Sequence, residues 1–319
     1  MTIKDAPLIS IVVPVYSEAA NIKNFVNEVE TIIKNNFEII FVCDPSDDET
    51  EEILMKFSIK NPNKFKTLVM SRRFGQHKCI MAGLRHTNGK SVVVMDVDGQ
   101  DPVDIIPDMI TKWNEGFDVV YGKRLKREKI SFINKITSKI GMYMVSKLSY
   151  LEIPTNVGEF RLMDQKVVNE INKFSDFNPF LRGMVSYVGF KQTNINFVRP
   201  KRNEGETKYS RFFGSITFGL NALTTFSNKL LNMSIILGIF ISLLSIIIGF
   251  FYLYFKLNGL VDFPIGNPTI VISILFIGGV QLFFMGILGI YIGQISDQVK
   301  NRPQYIIDKY YGDVDKANL

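Results

Sequence analysis

Acidic side chains crowd the end of one short apolar run, VVVMDVDGQDP, at residues 92–102. Its valines and methionine are typical of a buried strand, and they lead directly into Asp96, Asp98, Gln100 and Asp101. A polar turn explains the glycine but not so many acids, because ionised carboxylates one residue apart repel each other. A divalent cation would offset this repulsion, and oxygen ligands without a nearby His or Cys favour Mg²⁺ or Mn²⁺ over Zn²⁺. The segment alone leaves a turn and a metal site equally open.

Strands and helices alternate along the chain up to this segment. Apolar runs predict strands at 8–16, 37–44, 65–71 and 91–96, and helical spacing predicts helices at 18–34, 48–57 and 78–85. Near-continuous apolar strands separated by helices predict an α/β fold with a parallel sheet covered on both faces. Ligands bind at the carboxyl ends of the strands in such folds. Polar clusters follow four of these ends and should converge on one edge of the sheet: PVYSE at 14–18, CDPSDDET at 43–50, SRRFG at 71–75 and DVDGQD at 96–101.

Basic residues concentrate in two segments, GKRLKREK at 122–129 and RPKRNEGETKYSR at 199–211. The sequence contains neither GxGxxG nor GxxxxGK[ST], so a phosphate would be held by a metal and by basic side chains. The net charge of +6 is modest, and no zinc-finger spacing or aromatic RNA-binding signature accompanies it. We therefore expect an anionic lipid or a phosphate as the partner, and no nucleic acid. Two cysteines, Cys43 and Cys79, are typical of a reducing compartment.

Two long apolar runs follow the α/β part of the chain. Residues 230–255 and 263–296 contain no charged side chain, and each run exceeds the roughly 20 residues that cross a bilayer. They predict two transmembrane helices, at about 230–255 and 268–294, although two buried core helices are the alternative. Five glycines on the second run suggest close helix contacts and a homo-oligomer: Gly278, Gly279, Gly286, Gly289 and Gly293.

Lysines and arginines flank the two runs and predict their orientation. The connection between the runs carries only Lys256 and Asp262 as charged residues. The basic residues outside it are Lys208, Arg211 and Lys229 before the first run and Lys300, Arg302 and Lys309 after the second. The positive-inside rule then puts the α/β domain and both termini in the cytoplasm, in a multi-pass protein of the inner (cytoplasmic) membrane. The first residues, MTIKDAPLIS, lack a basic n-region and a cleavage site, so no signal peptide is expected.

Two segments have the spacing of amphipathic helices. Residues 130–151 place isoleucines, methionine and leucines on one face with lysines elsewhere, and residues 211–229 repeat the pattern just before the first apolar run. Packing onto the α/β domain and lying in the membrane interface are equally compatible with this pattern.

Seven motifs, in their order along the chain, resemble those of the polyprenyl-phosphate glycosyltransferases of glycosyltransferase family 2. They are PVYSEAANI, DPSDDET, DVDGQDP, GKRLKREKIS, IPTNVGEFRLMD, RNEGETKY and KNRPQY. The resemblance covers essentially the whole chain and places it close to bactoprenol glucosyltransferases, with dolichol-phosphate mannose synthases as relatives. It implies a nucleotide-sugar-binding, Rossmann-like domain of the glycosyltransferase A type. With the apolar runs it gives a glycosyltransferase domain at 1–210, an interfacial helix at 211–229, two transmembrane helices within 230–296 and a cytoplasmic tail at 297–319.

The resemblance also implies roles for individual residues. Asp96, Asp98 and Gln100 match the family's metal and diphosphate site. The positions that hold the nucleotide's base and ribose correspond to Pro14, Tyr16, Glu18 and Asp44. The residues that face the lipid phosphate correspond to Arg124, Arg127, Ser131 and Lys135, and a loop that closes over the same site corresponds to Arg202 and Lys208.

Two positions depart from the family's pattern. The usual DDGS is CDPS here, so the contacts to the base can differ although Asp44 is retained. Glu159, in GEFRL, stands where the family usually has an Asp, and we expect it and Asp98 to be the catalytic residues.

The implied reaction is a metal-dependent, inverting transfer of a sugar from a nucleotide sugar to the phosphate of undecaprenyl or another polyprenyl phosphate. UDP-glucose is the first expected donor, followed by UDP-linked amino sugars or galactose-type sugars and then by GDP-mannose. The second pKa of a phosphate monoester is ~6, so the acceptor is largely ionised at neutral pH and a general base is nearly dispensable. Glu159 then positions the acceptor or completes its deprotonation, and Glu159→Gln is expected to lower the rate moderately.

Two other functions remain as alternatives. A non-catalytic membrane scaffold that recruits a flippase or a partner transferase would not need the acids or the basic strip. A processive polysaccharide synthase shares the nucleotide-sugar fold and the membrane spans. Such synthases carry a QxxRW sequence, whereas the single tryptophan of this chain, Trp113, follows MITK.

Overall fold

The computed structural model describes residues 8–34, 36–125, 154, 157–200, 229–258 and 268–313. These residues fall into two compact units, of which the first contains the described residues up to 200 together with 303–313. The second contains the described residues from 229 to 302. Both expected amphipathic segments lie outside the described residues, except for Lys229 at the end of the second, and so do Arg127, Ser131, Lys135, Arg202 and Lys208.

The first unit is an α/β domain built on one sheet. Its first elements are β1 (Ile9–Val15), α1 (Ala19–Ile32), β2 (Phe37–Cys43), α2 (Thr50–Lys60), β3 (Phe65–Met70), α3 (Gln76–Leu84) and β4 (Ser91–Val94). The elements that follow are α4 (Ile106–Asn114), β5 (Val119–Arg124), β6 (Val157–Asp164), α5 (Gln165–Ile171), α6 (Leu181–Val188), β7 (Gln192–Phe197) and β8 (Ile307–Tyr311). The predicted strands and helices up to β4 are confirmed, with ends that differ by a few residues.

The sheet is mixed, with strand order β7-β5-β6-β4-β1-β2-β3-β8. Strands β3, β2, β1 and β4 are parallel to one another, as are β5 and β7. The predicted parallel sheet is confirmed for the four strands on which it rested, β1 to β4, whereas β6 runs antiparallel to β4 and β5, and β8 runs antiparallel to β3. Strand β6 begins beside the end of β5, where Val157 pairs with Lys123. The chain therefore runs back across the sheet from the edge at which β5 ended. A connection of that kind reverses the strand direction.

Apolar side chains on both faces of the sheet form the core. Alternate residues of β1, such as Ile9 and Ile11, share one cluster with Phe25 of α1 and Met109 of α4. On the opposite face, α3 lies so close that a Cβ on Gly83 would overlap a side chain of β1. Because helices cover both faces, the strands are apolar along nearly their whole length, and this is why the sequence predicted them correctly.

One ion pair is buried at the end of the sheet opposite the polar clusters. Lys66 Nζ lies 2.7 Å from Glu38 Oε2, and the two side chains are 5% and 1% exposed. The other carboxylate oxygen of Glu38 accepts hydrogen bonds from Ser10 Oγ (2.6 Å) and the Asn88 backbone N–H (2.8 Å). Each charge is therefore paired, which is the condition under which a buried ion pair is tolerated.

Glu38→Gln is expected to destabilise the protein by about 3 kcal/mol, because it leaves a buried lysine without its counter-charge. The loss stays at the low end of the usual range since the amide oxygen can still accept from Ser10 and Asn88. Thermal unfolding of the full chain in mild detergent measures it. Glu52→Gln makes the same change in the exposed pair with Lys56 and is expected to leave the melting temperature unchanged. Equal melting temperatures for the two variants would contradict the prediction.

The second unit contains two long helices, α7 (Lys229–Leu257) and α8 (Pro268–Val299). Both lie at the predicted apolar runs, and both expose large apolar side chains such as Phe250 and Leu282. In the described part of the chain, one stretch is long and apolar enough to cross a membrane, Phe276–Val299 of α8. Helix α7 holds a shorter apolar stretch, Ile236–Ile248. Length and composition thus support one of the two expected spans, and the other stays a prediction.

Candidate active site

Six strand ends and their loops meet at one edge of the sheet. The parallel strands β1 to β4 all finish at this edge, so the loops after Val15, Cys43, Met70 and Val94 lie side by side. Strands β5 and β7 run in the same direction and finish there too, and β6 starts there. The predicted convergence of the polar clusters is confirmed by this topology, because parallel strands carry their carboxyl ends to the same edge.

The carboxylate of Asp44 is fixed by the loop between β3 and α3. Its two oxygens accept hydrogen bonds from the backbone N–H groups of Phe74 (3.0 Å) and Gly75 (2.8 Å). Gly75 has a φ of 91°, a conformation that side chains rarely adopt, so the loop requires a glycine here. Asp44 is 3% exposed, and both of its oxygens therefore serve to hold this loop.

The same loop reaches the carboxylates that follow β4. The side chain of Gln76 donates from Nε2 to Asp96 Oδ1 at 2.7 Å. Gln76 was not among the residues singled out in the sequence, and it links the loop held by Asp44 to the acidic segment. Asp44 and Asp96 therefore both accept hydrogen bonds from one short loop.

Three carboxylates crowd the segment after β4. Asp98 Oδ1 accepts from the Gln100 backbone N–H (3.0 Å), and Asp101 Oδ2 accepts from the Asp96 backbone N–H (3.2 Å). Burial, together with the charges of Asp101 and Asp98, raises the pKa of Asp96 to about 8. Burial also raises the pKa of Asp101 to about 6, although Arg124 acts in the opposite direction. With all three carboxylates ionised, the segment would therefore carry more negative charge than its surroundings stabilise.

Binding of a metal ion by this segment would depend on two carboxylates as its charged ligands. Among the residues that the structure describes, no three His, Cys, Asp or Glu side chains form a metal-binding group. Mg²⁺ needs fewer protein ligands, since it keeps several waters and is often bound by one or two carboxylates and substrate phosphates. In addition, Asp101 Oδ1 is buried and accepts no hydrogen bond from the described residues. The residues present fit a hard divalent cation on these grounds.

Glu159 lies on β6 between two guanidinium groups. Its Oε1 is 2.7 Å from Arg182 Nε on α6, and its Oε2 is 3.5 Å from Arg161 Nη2. Arg161 is held further by the carbonyl oxygens of Glu159 and Gly158. Burial alone would raise the pKa of Glu159, but Arg182 and Arg161 outweigh it and lower the pKa to about 2. Glu159 is thus a fixed anion at every physiological pH.

Tyr16 and Glu18 follow β1 at the same edge. The guanidinium carbon of Arg73 lies 3.9 Å above the centre of the Tyr16 ring. Glu18 accepts a hydrogen bond from Asn21 Nδ2 (2.6 Å) just before α1, and its backbone N–H donates to Thr50 Oγ1 (3.0 Å). Between them, Ser17 has a φ of 51°, a costly conformation for a residue with a side chain.

The structure brings together all of the predicted site residues that it describes. They are Pro14 in β1, Tyr16, Glu18 and Asp44 after β1 and β2, Asp96, Asp98 and Gln100 after β4, Arg124 at the end of β5 and Glu159 on β6. Sequence reasoning missed Arg73, Gln76, Arg182 and Arg199 as site residues. Arg73 lies in SRRFG, which was recognised as a polar cluster, and Gln76 follows that cluster directly. Arg199 is the first residue of the basic segment at 199–211, whereas Arg182 carries no local signal.

Comparison with known proteins is consistent with this arrangement. The sequence pattern described as glycosyl transferase family 2 matches residues 10–171. An uncharacterized glycosyltransferase of Bacillus subtilis, YkcC, is 40% identical over 95% of this chain and 94% of its own length. The SfII prophage-derived bactoprenol glucosyl transferase of Shigella flexneri is 36% identical over 94% of this chain and 97% of its own. A prophage bactoprenol glucosyl transferase homolog of Escherichia coli is 34% identical over 94% of this chain and 98% of its own length. The chain belongs to glycosyltransferase family 2, with bactoprenol glucosyl transferases among its relatives.

Proposed function

We propose that this protein transfers a hexose, glucose first among the candidates, from a UDP-sugar to the phosphate of a polyprenyl phosphate. One observation carries the proposal. Carboxylates suited to a cation, Asp96 and Asp98, share a sheet edge with Arg124, and Asp101 links the two groups, with its Oδ1 4.0 Å from Arg124 Nη2. An enzyme that transfers a sugar from a nucleoside diphosphate to an anionic acceptor needs both kinds of group within reach of the anomeric carbon. The relatives named bactoprenol glucosyl transferases support the choice of acceptor.

The carboxylate group is proposed to hold Mg²⁺ or Mn²⁺. Asp96 and Asp98 would be the charged ligands and the Gln100 amide oxygen the neutral one, with water and the donor diphosphate completing the shell. When bound, the metal neutralises charge on the departing nucleoside diphosphate. It would also relieve the repulsion among the carboxylates, which supports its assignment to this segment.

The transfer is proposed to be a single in-line displacement. A phosphate oxygen of the acceptor attacks the anomeric carbon while the bond from that carbon to the diphosphate oxygen breaks, so the configuration is inverted. Arg124 orients the acceptor phosphate, since guanidinium binds phosphate oxygens with a fixed forked geometry. Tyr16, Glu18 and the loop held by Asp44 are proposed to bind the nucleotide. No group on the protein has to remove a proton, because the acceptor phosphate is already ionised near neutral pH.

The chain is proposed to cross the membrane twice. Strand β8 follows α8 in the sequence and belongs to the same sheet as β1–β7, so the chain segments before α7 and after α8 end on one side of any membrane. The number of crossings between them must be even, and α7 is therefore the second span if α8 is the first. The lysines and arginines outside the two helices support the cytoplasm as that side. Homo-oligomerisation through the glycines of α8 remains a prediction.

Cysteine labelling tests this topology against a low background, because Cys43 and Cys79 are buried. Asn258→Cys, just after α7, is expected to react with a membrane-impermeant maleimide added outside right-side-out vesicles. Asp308→Cys, on the exposed side of β8, is expected to react only after the vesicles are opened. Protection of Asn258→Cys in sealed vesicles would contradict two crossings.

The function is tested by transfer of radiolabel from a panel of nucleotide sugars to undecaprenyl phosphate. The purified full chain is assayed in detergent with Mg²⁺ or Mn²⁺, and with EDTA as the control. A chloroform-extractable product that carries one sugar, and is lost with EDTA, is expected. A polymeric product would favour a processive synthase. The absence of any product together with the absence of nucleotide binding would favour a scaffold.

A further inference from the structure

Three arginines surround the end of β5, and each comes from a different element. Arg124 is the last residue of β5 and pairs in register with Phe197, the last residue of β7. Arg199 follows Phe197 by two residues, and the Leu125 backbone N–H donates to the Phe197 carbonyl at 2.9 Å, which keeps the two chain segments together. Arg182 is tied to Glu159 on β6, the other neighbour of β5. We call Arg124, Arg182 and Arg199 the arginine cluster.

Among the residues that the structure describes, the positive charge of the arginine cluster exceeds the negative charge of the carboxylates paired with it. Glu159 is shared between Arg182 and the buried Arg161. Asp101 Oδ1 lies 4.0 Å from Arg124 Nη2, beyond hydrogen-bond distance, and accepts no hydrogen bond from the described residues. The buried Nε atoms of Arg124 and Arg199 also have no hydrogen-bond partner in the part of the chain that the structure describes. Buried donors of this kind are costly unless a ligand satisfies them.

Electrostatics and packing both indicate that the arginines act on one another. Burial lowers the pKa of Arg124, and the charges of Arg199 and Arg182 lower it further, while Asp101 opposes them. The Arg124 guanidinium also packs against Gly158 of β6, where an added Cβ would lie 2.7 Å from Nη2. The Arg124 guanidinium is fixed in place near two others, and its Nε has no partner among the described residues. A guanidinium of this kind is suited to an anion that carries more than one charge.

We propose that Arg182 and Arg199 act with Arg124 to bind the phosphate monoester of the lipid acceptor, and that Glu159 and Asp101 are positioning residues for this cluster. The inference rests on the proposed function. The diphosphate of the donor is assigned to the cation site formed by the carboxylates after β4. The arginine cluster is therefore left to bind the second anion, which is the acceptor phosphate. A phosphate monoester is largely a dianion at neutral pH and presents three oxygens, which matches several guanidinium forks.

Kinetics of the full chain test the assignment. Arg199→Gln and Arg182→Lys are expected to raise the KM for undecaprenyl phosphate roughly 10- to 100-fold, as for loss of one charge-assisted hydrogen bond, and to leave the KM for the nucleotide sugar unchanged. Arg199→Lys keeps the charge and is expected to recover part of the loss. Lys173→Gln, in an exposed pair with Glu170, is the control and is expected to change neither constant.

Inorganic phosphate is the second probe. It is expected to inhibit the wild type in competition with the lipid acceptor, and this inhibition should weaken in Arg199→Gln by a similar factor. Three outcomes would overturn the inference while wild-type transfer stands. They are a raised KM for the nucleotide sugar, competition of phosphate with the donor, and an acceptor KM that is unchanged in both Arg199→Gln and Arg182→Lys. A wild-type protein that transfers no sugar would overturn the proposed function itself.

Discussion

Asp98→Asn is expected to lower the rate of sugar transfer about 10³-fold, the largest effect of any single substitution considered. Asp98 is 8% exposed as a residue and stands between Asp96 and Gln100 in the segment assigned to the cation. An amide is a weaker ligand and supplies no charge, so the charge on the leaving diphosphate loses several kcal/mol of stabilisation. The asparagine oxygen can still accept from the Gln100 backbone N–H, and the loop should keep its shape.

Two measurements separate loss of the cation from misfolding. Mn²⁺ is expected to raise the melting temperature of the wild type and not that of Asp98→Asn, because a ligand stabilises only the state that binds it. Asp108→Asn, an identical change at an exposed position of α4, is expected to keep both full transfer and the Mn²⁺ response. Asp98→Asn with near wild-type transfer in the presence of metal would show that the metal lies elsewhere or is not required.

The sequence predicted most of the fold because the strands of the sheet are buried on both faces. Runs such as ISIVVPV and FEIIFVC have no solvent face, so they stand out as apolar against the helices between them. The direction of β6 could not be predicted, because the pattern VGEFRLMD is compatible with either orientation. Strand β8 was missed because it lies at an edge, where IDKYY keeps polar and half-exposed residues and resembles a charged tail.

The residues of the candidate site also divide into those that the sequence could predict and those that it could not. Asp96, Asp98 and Asp101 could be found because they are close in sequence and their repulsion is visible without a structure. Arg182 could not be found, because its contact with Glu159 joins residues 23 apart through the packing of α6 on the sheet. The same contact changes the interpretation of Glu159, since a carboxylate that looks like a base in the sequence is an ion-paired anion in the structure.

Glu159→Gln is therefore expected to reduce transfer about 100-fold without changing the shape of the pH profile. The pKa of Glu159 is about 2, so the group is ionised throughout pH 5 to 9 and contributes no acid limb in that range. The acid limb should follow groups other than Glu159 in the wild type and the variant alike. These are the acceptor phosphate, with a pKa of ~6, and the carboxylates after β4, since the pKa of Asp101 is about 6 and that of Asp96 about 8. The loss of rate arises because Arg182 is no longer held in place, and the variant should show it mainly as a raised acceptor KM. An acid limb present in the wild type and absent from Glu159→Gln would identify Glu159 as the general base.

Stability gives an independent measure of the same contact. Glu159→Gln leaves Arg161, which is 3% exposed, without its counter-charge and is expected to cost about 3–5 kcal/mol. A carboxylate whose pKa is lowered on folding stabilises the protein above its unfolded pKa of ~4, and loses that contribution as the pH falls toward 2. The difference in stability between the wild type and Glu159→Gln should thus be constant from pH 5 to 9 and shrink only below about pH 4. Glu159→Asp keeps the charge and is expected to retain most of the stability, so a stable Asp variant with reduced acceptor affinity would show that the length of this side chain sets the position of Arg182.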